Sequence, residues 1–393
     1  MLKRLFRPAE GVSNIELFYD LIFVYCISVV TALCHHVDGG FLDLGTWLIY
    51  IFSLFTIVQV WFFSTLLMNR YGDRSISESV GLFVNMLLLY FLANGVRTEW
   101  HDTSLLFNLT WAGILTNLAV QWLIKLHTYT NLDEIDRRIM RGSAACLLIQ
   151  AAISATAAFL PDVPSEIASW ISLLFGTTTF RFLRLYRLKP ARFSHVAERC
   201  SLLTIIAFGE MVVGISSYMT NVSLLRFPIG VFALTVGLFL IYIFEHDQML
   251  DHHAHTDGMA YMAVSSWLIV VIGNLTVAIE YMPMTNIDFL PKSIYLTTCL
   301  VMYLLTSFLL GRYNKPEYRY SKLYVAGRLI VCAFVVVAGI TTGFDANISL
   351  ACHVVAVYAA FVYEYVLWHR RTHAIAKSRS LGLARELEDE EDA

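Results

Sequence analysis

The chain has 393 residues, of which 57% are hydrophobic and 15% charged, with 28 Lys and Arg against 31 Asp and Glu for a net charge of −3. A soluble chain would carry about 25% charged residues, and an apolar excess of this size has no place in one or two soluble cores. A soluble two-domain enzyme is therefore excluded, and the near-neutral charge gives no electrostatic footprint for nucleic acid.

A helix needs about 20 mostly apolar residues to cross the roughly 30 Å hydrocarbon layer. In chain order such runs lie at 15–36, 45–68, 76–97, 104–125, 139–160, 165–185, 196–219, 225–246, 259–282, 292–312, 323–343 and 348–368. They predict an all-α fold, a polytopic membrane bundle of twelve helices in which residues 1–385 form one transmembrane domain. The connecting loops are too short for an inserted soluble domain. Two six-helix halves, 1–190 and 191–385, would be the usual transporter arrangement. Setting Asn14–Ala32 beside Val196–Gly214 aligns Glu16 with Glu198 and little else. Residues 386–393 are acidic and predicted to be a disordered tail.

The basic residues orient this bundle. With the N-terminus in the cytoplasm, 24 of the 28 Lys and Arg fall on the inner side, and only Arg97, Arg226 and Lys292 fall in outer loops. That asymmetry places both termini in the cytoplasm. The first apolar segment contains Glu16 and Asp20 and lacks a small-residue cleavage site, so no cleaved signal peptide is expected. The seven cysteines fall mostly in apolar runs without a CxxC pair, which argues against a disulfide framework, a zinc knuckle or covalent haem.

Ionisable groups inside spans carry the functional reading, because each is costly unless it faces protein or water. Glu16 and Asp20 stand four residues apart in NIELFYDLIFVYCIS and share one helix face. Glu210, in ERCSLLTIIAFGEMVVGIS, is the charge nearest the midplane, and Arg199 lies eleven residues earlier on nearly the same face. Arg181, Arg328 and Glu364 lie toward the cytoplasmic ends of the sixth, eleventh and twelfth helices; the alternative to a coupling role for Glu16 and Asp20 is a pairing with Arg181 or Arg328 that ties helices together at that rim. Glu280 and His353 lie toward outer ends. Asn85, Gln59, Gln150 and Asn274 read as hydrogen-bonding glue between helices. Gly209 with Gly214, and Ala112 with Gly113, predict close helix packing.

The segment EHDQMLDHHAHTDG, from Glu245 to Gly258, is predicted to be a hydrated cytoplasmic loop without Lys or Arg. Its His246, His252, His253 and His255 are candidate ligands for zinc, manganese or nickel. His35 and His36 are expected at the outer interface. The basic run RFLRLYRLKPARFSHVAER marks topology and suits anionic lipid head groups. There is no Walker A, GxSxG or HExxH motif, so ATP hydrolysis, serine hydrolysis and zincin chemistry lack support. No cofactor is called for, and the residues lean away from an enzyme.

Two segments carry a resemblance. GVSNIELFYDLIFVYCIS resembles the opening signature of the bacterial low temperature requirement A family, and HVAERCSLLTIIAFGEMVVGI resembles its second, a His and a Glu-Arg pair followed by Gly-Glu. HAHTDGMAY is a weaker third match, and the likeness runs over roughly residues 10–370. It implies that Glu16, Asp20, Phe23, His195, Glu198, Arg199, Gly209 and Glu210 are signature positions. It also implies a multi-pass protein of the bacterial plasma membrane, tied to growth in the cold, whose immediate partners are membrane lipids. Tyr19 stands where that signature usually has Phe.

Three functions fit these residues. The favoured one is a proton- or ion-coupled transporter or ion pathway, with Asp20 and Glu210 binding and releasing the coupling ion, Arg199 tuning them electrostatically, Glu16 and Glu198 as further coupling candidates, and the small ion or solute unassigned. The second is a membrane sensor or scaffold, against which the lack of a soluble signalling domain argues. The third is an intramembrane lipid-modifying enzyme, which the absence of a desaturase-like histidine set disfavours.

Overall fold

The computed structural model describes residues 11–35, 37, 41–182, 192–216, 226–342 and 345–391. Among these, twelve α-helices follow one another: α1 Asn14–Thr31, α2 Leu44–Tyr71, α3 Ile76–Gly95, α4 Trp100–Thr128, α5 Glu134–Ala157, α6 Asp162–Phe182, α7 Phe193–Ser216, α8 Arg226–Phe244, α9 Met259–Tyr281, α10 Phe289–Leu310, α11 Lys322–Thr341 and α12 Ala346–Glu391. Ten of them are long and apolar enough to cross a membrane. The other two, α6 and α7, sit at two of the predicted spans but carry more polar residues: Ser165, Ser169 and Ser172 on one, Glu198, Arg199 and Glu210 on the other. The chain is a multi-pass helical membrane protein.

Contacts divide the chain into two units, and neither matches the expected halves at residue 190. The first comprises Met1–Gly214 with His252–Lys292, so it holds α1 to α7 and α9; the second comprises Ile215–Asp251 with Ser293–Ala393. The acidic segment expected as a disordered tail is helical through Glu391, as a continuation of α12.

In the first unit α2 is the central helix, packing on α1, α4, α6 and α9. A helix with neighbours on all sides needs no polar face, and 83% of its apolar window is buried. Phe52 stands at its core, its ring 5.4 Å from Trp100, 5.9 Å from Trp111 and 5.0 Å from Trp170. By contrast α3 buries Gly81, Leu82, Asn85, Leu89 and Leu92 and leaves Phe83, Val84, Leu87 and Phe91 exposed, a helix with one face on protein and one on lipid. The neutral polar residues do act as glue. Gln150 Nε2 donates to Gln59 Oε1 at 2.7 Å, and Asn117 Nδ2 donates to Asn85 Oδ1 at 2.7 Å. In a medium without competing water such links fix helix register. Asn274 instead donates to Val270 O of its own helix.

In the second unit α12 packs on α8 and α11. The chain does not leave α8 as a loop. It passes into a π-helical turn over Glu245–Met249, closed by Leu250 N–H donating to Glu245 O at 3.0 Å. Such turns shift the face a helix presents, and this one carries the Glu245 side chain into the interior.

Candidate functional site

The first turn of α1 is fixed by a capping box. Ser13 Oγ accepts from Glu16 N–H at 3.2 Å, and Glu16 Oε2 accepts from Ser13 N–H at 2.6 Å. This arrangement satisfies two backbone donors at the helix start and locks the glutamate rotamer. Its other oxygen, Oε1, then faces α7, 3.5 Å from His195 Nε2 and 3.7 Å from Arg199 Nη1.

One turn deeper Asp20 meets Arg199. Asp20 Oδ1 accepts from Arg199 Nη2 and, at 3.1 Å, from Trp61 Nε1. Both charged side chains have no solvent exposure. The guanidinium lies 5.8 Å from the Trp61 ring centroid, and its Nη1 donates to Met68 Sδ at 3.2 Å. Two buried polar atoms of the pair, Asp20 Oδ2 and Arg199 Nε, have no hydrogen-bond partner among the described residues.

His195 links this pair to an opening. The Arg192 carbonyl can only accept, so it fixes the Asn69 amide nitrogen on its side at 2.9 Å, and the same nitrogen lies 3.3 Å from His195 Nδ1. Nδ1 therefore accepts, and Nε2 carries the hydrogen that faces Glu16. His195 also lines a cavity of about 430 Å³ together with Gly11, Arg192, His252, His253 and His255. With His195 neutral and both carboxylates ionised, the group of Arg199, Asp20 and Glu16 carries one negative charge.

A second acidic station lies near the far ends of α1, α7 and α9. His35 Nε2 is 2.7 Å from Glu280 Oε2. Glu210 is hydrogen-bonded by the Ser28 hydroxyl and interacts electrostatically with Glu280 and His35. Gly214 makes room for this cluster, since a Cβ there would lie 2.6 Å from Glu280 Oε1. The packing expected at Gly209 is not seen: among the described residues nothing stands within 4 Å of a Cβ at that position. Eleven residues of α7 separate Arg199 from Glu210, about 16 Å at the α-helical rise.

Several expected roles are redistributed. Arg328 does not serve Glu16 or Asp20: its Nη2 donates to Glu245 Oε1 at 2.5 Å and lies 3.7 Å from Glu364 Oε2, all within the second unit. The partner of the two α1 carboxylates is Arg199, which was expected to tune both Asp20 and Glu210. Glu198 is exposed and joins neither station. The Arg181 side chain, His36, and residues 183–191 of the basic run lie outside the described residues. The candidate metal set is not assembled: among the described residues no three His, Cys, Asp or Glu side chains form a group that could hold a metal ion. His246 instead pairs with Asp247 at 2.9 Å. His353 is a fully buried residue whose Nδ1 is bonded to Ser349 O.

Sequence reasoning missed one buried ion group entirely. Lys125 Nζ lies 2.5 Å from Asp73 Oδ1 and 2.6 Å from Glu78 Oε2, and it joins the α2–α3 connection to α4. Burial pushes the Asp73 carboxyl up, but the hydrogen bond and charge of Lys125 outweigh it and hold the group well below the usual carboxylate range. The Glu78 that Lys125 contacts follows the N-cap Ser75 by three residues, which is itself a capping signal.

The α1 and α7 segments that meet in this site are the same two stretches that carry the family signatures. A comparison with curated proteins finds no match. The family described as bacterial low temperature requirement A protein (LtrA) matches residues 11–377, and the chain belongs to that family.

Proposed function

We propose that the protein is a proton-coupled carrier or proton pathway of the bacterial plasma membrane, in which α1 and α7 hold the proton-binding groups. The observation that carries this reading is the fully buried Asp20–Arg199 pair, flanked by Glu16 and by a His195 that also faces an open cavity. A proton arriving from that cavity is taken at His195 Nδ1 once Asn69 releases it, or passed to the Asp20 oxygen that has no partner. Either event neutralises the surplus charge and loosens the hold of Arg199 on Asp20. The Glu210, Glu280 and His35 station lies about 16 Å further along α7 and is the complementary site for release or uptake.

The test is proton movement in liposomes containing purified protein and a trapped pH dye, with wild type compared with D20N and E210Q under an imposed gradient. Asn at position 20 keeps an oxygen for Arg199 and Trp61, and it leaves Arg199 balanced by Glu16, so the variant should fold. Wild-type flux that either substitution abolishes supports the reading. Undiminished flux in both folded variants overturns it.

A further inference from the structure

The second unit holds a group of charges that the reading above does not use. Glu245 from the π-helical turn, Arg328 from α11 and Glu364 from α12 are 5%, 5% and 1% exposed. Two carboxylates thus face one guanidinium in the interior of a membrane-spanning bundle. The tyrosine hydroxyls around them decide how protons are distributed.

Glu245 Oε1 is surrounded by donors: Arg328 Nη2 at 2.5 Å, Tyr324 Oη at 3.2 Å and Tyr320 Oη at 3.3 Å. That is the environment of an ionised carboxylate. Glu364 Oε1 makes a close contact with the same Tyr324 hydroxyl, and its Oε2, 3.7 Å from Arg328 Nη2, has no hydrogen-bond partner among the described residues. Tyr324 Oη has a single hydrogen and accepts from Arg328 Nη2 at 3.2 Å. If that hydrogen goes to Glu245, the short contact to Glu364 needs a hydrogen supplied by Glu364. The other assignment leaves two ionised carboxylates against one buried arginine, a net charge whose desolvation costs several kcal/mol. Tyr303 of α10 adds no positive charge, and the cation that interacts with Glu364 is Arg328.

We propose that Glu364 is a proton-binding site, protonated at neutral pH, whose hydrogen bond runs from Glu364 Oε1 through Tyr324 Oη to ionised Glu245. Ser307 Oγ, which accepts from Arg328 Nη2 at 3.3 Å, holds the guanidinium in place. A cavity of about 10 Å³ is lined by Arg328, Tyr363 and Glu364. That volume suits one water molecule, and it is lined by two of the residues whose buried atoms, Glu364 Oε2 and Arg328 Nε, have no hydrogen-bond partner among the described residues; Glu245 Oε2 is a third such atom in the group. One water there would exchange the Glu364 proton. The site lies wholly within the second unit, so it stands or falls independently of the reading of α1 and α7.

Infrared spectroscopy of the full-length protein in lipid, in H2O and D2O at pH 7, reads the carbonyl stretch of protonated carboxyls. E364Q should lose one carboxyl equivalent of that band. E245Q should lose one as well, because Glu364 then ionises to balance Arg328. R328Q should gain one, because both glutamates then take a proton. A folded E364Q with an undiminished band overturns the proposal. Should E364Q not fold, an undiminished band in folded E245Q overturns it equally.

Discussion

Asp20 and Arg199, 179 residues apart in the chain, form an ion pair with no exposed side-chain surface on either partner. The pair joins the first turns of α1 to the first turns of α7, and its neighbours Glu16, His195 and Trp61 come from three different helices. Removing one member of a buried pair leaves an uncompensated charge. R199M should therefore lower unfolding free energy by about 3–5 kcal/mol, measured by denaturant titration in mixed micelles. R199M/D20N should recover a substantial part of that loss, since directly contacting residues are not additive.

Trp61 contributes through its indole N–H as well as its ring. W61F keeps an aromatic face for the guanidinium but removes the donor 3.1 Å from Asp20 Oδ1. A hydrogen bond to a charged group contributes about 1.5–3 kcal/mol, and the same titration should show a loss in that range. Trp61→Tyr, whose hydroxyl projects from a different point of the ring, should not restore it.

The two glycines of the second signature should behave differently. G214A places a Cβ 2.6 Å from Glu280 Oε1, which forces the carboxylate away from His35, and overpacking of this sort costs about 1–3 kcal/mol. G209A meets nothing within 4 Å and should be neutral, or stabilising by up to about 1 kcal/mol through helix propensity. Thermal unfolding of the two variants side by side separates them.

Acid stability should depend on Asp73. Its carboxyl is held well below the ordinary range because Lys125 outweighs the effect of burial. A depressed native value means that the contribution is fully present above the unfolded value, about 3.9, and is lost as pH falls toward the native one. D73N should be less stable than wild type at neutral pH, and the gap should narrow as the pH drops below about 4. A constant gap across that range would contradict the assignment.

Much of the fold is legible in the sequence because apolar length is a local property. The run predicted at 45–68 is α2 at Leu44–Tyr71, and that at 323–343 is α11 at Lys322–Thr341. What is not legible is which distant charges meet. Arg328 and Arg199 are equally plausible partners for Asp20 in one dimension, and only packing assigns the first to Glu245 and Glu364. The segment from Glu245 is expected as a hydrated loop because of its charges and histidines, whereas the π-helical turn continues the helix and turns the Glu245 side chain inward. Grouping by sequence order also fails at α9, which belongs with α1 to α7 through its contacts with α1 and α2. Among the residues expected as signature positions, Glu198 is exposed and no described atom stands within 4 Å of a Cβ at Gly209, so membership of a motif does not by itself put a residue in the site.

The most direct test of proton binding by the α1–α7 group is the charge displaced by a rapid pH jump across a solid-supported membrane of proteoliposomes. Wild-type protein should give a transient current on acidification that D20N abolishes and H195Q slows, with each variant intact by gel filtration. The absence of any wild-type current, or a D20N current equal to it, would contradict a proton-binding role for these residues and leave the Asp20–Arg199 pair as a tie between helices.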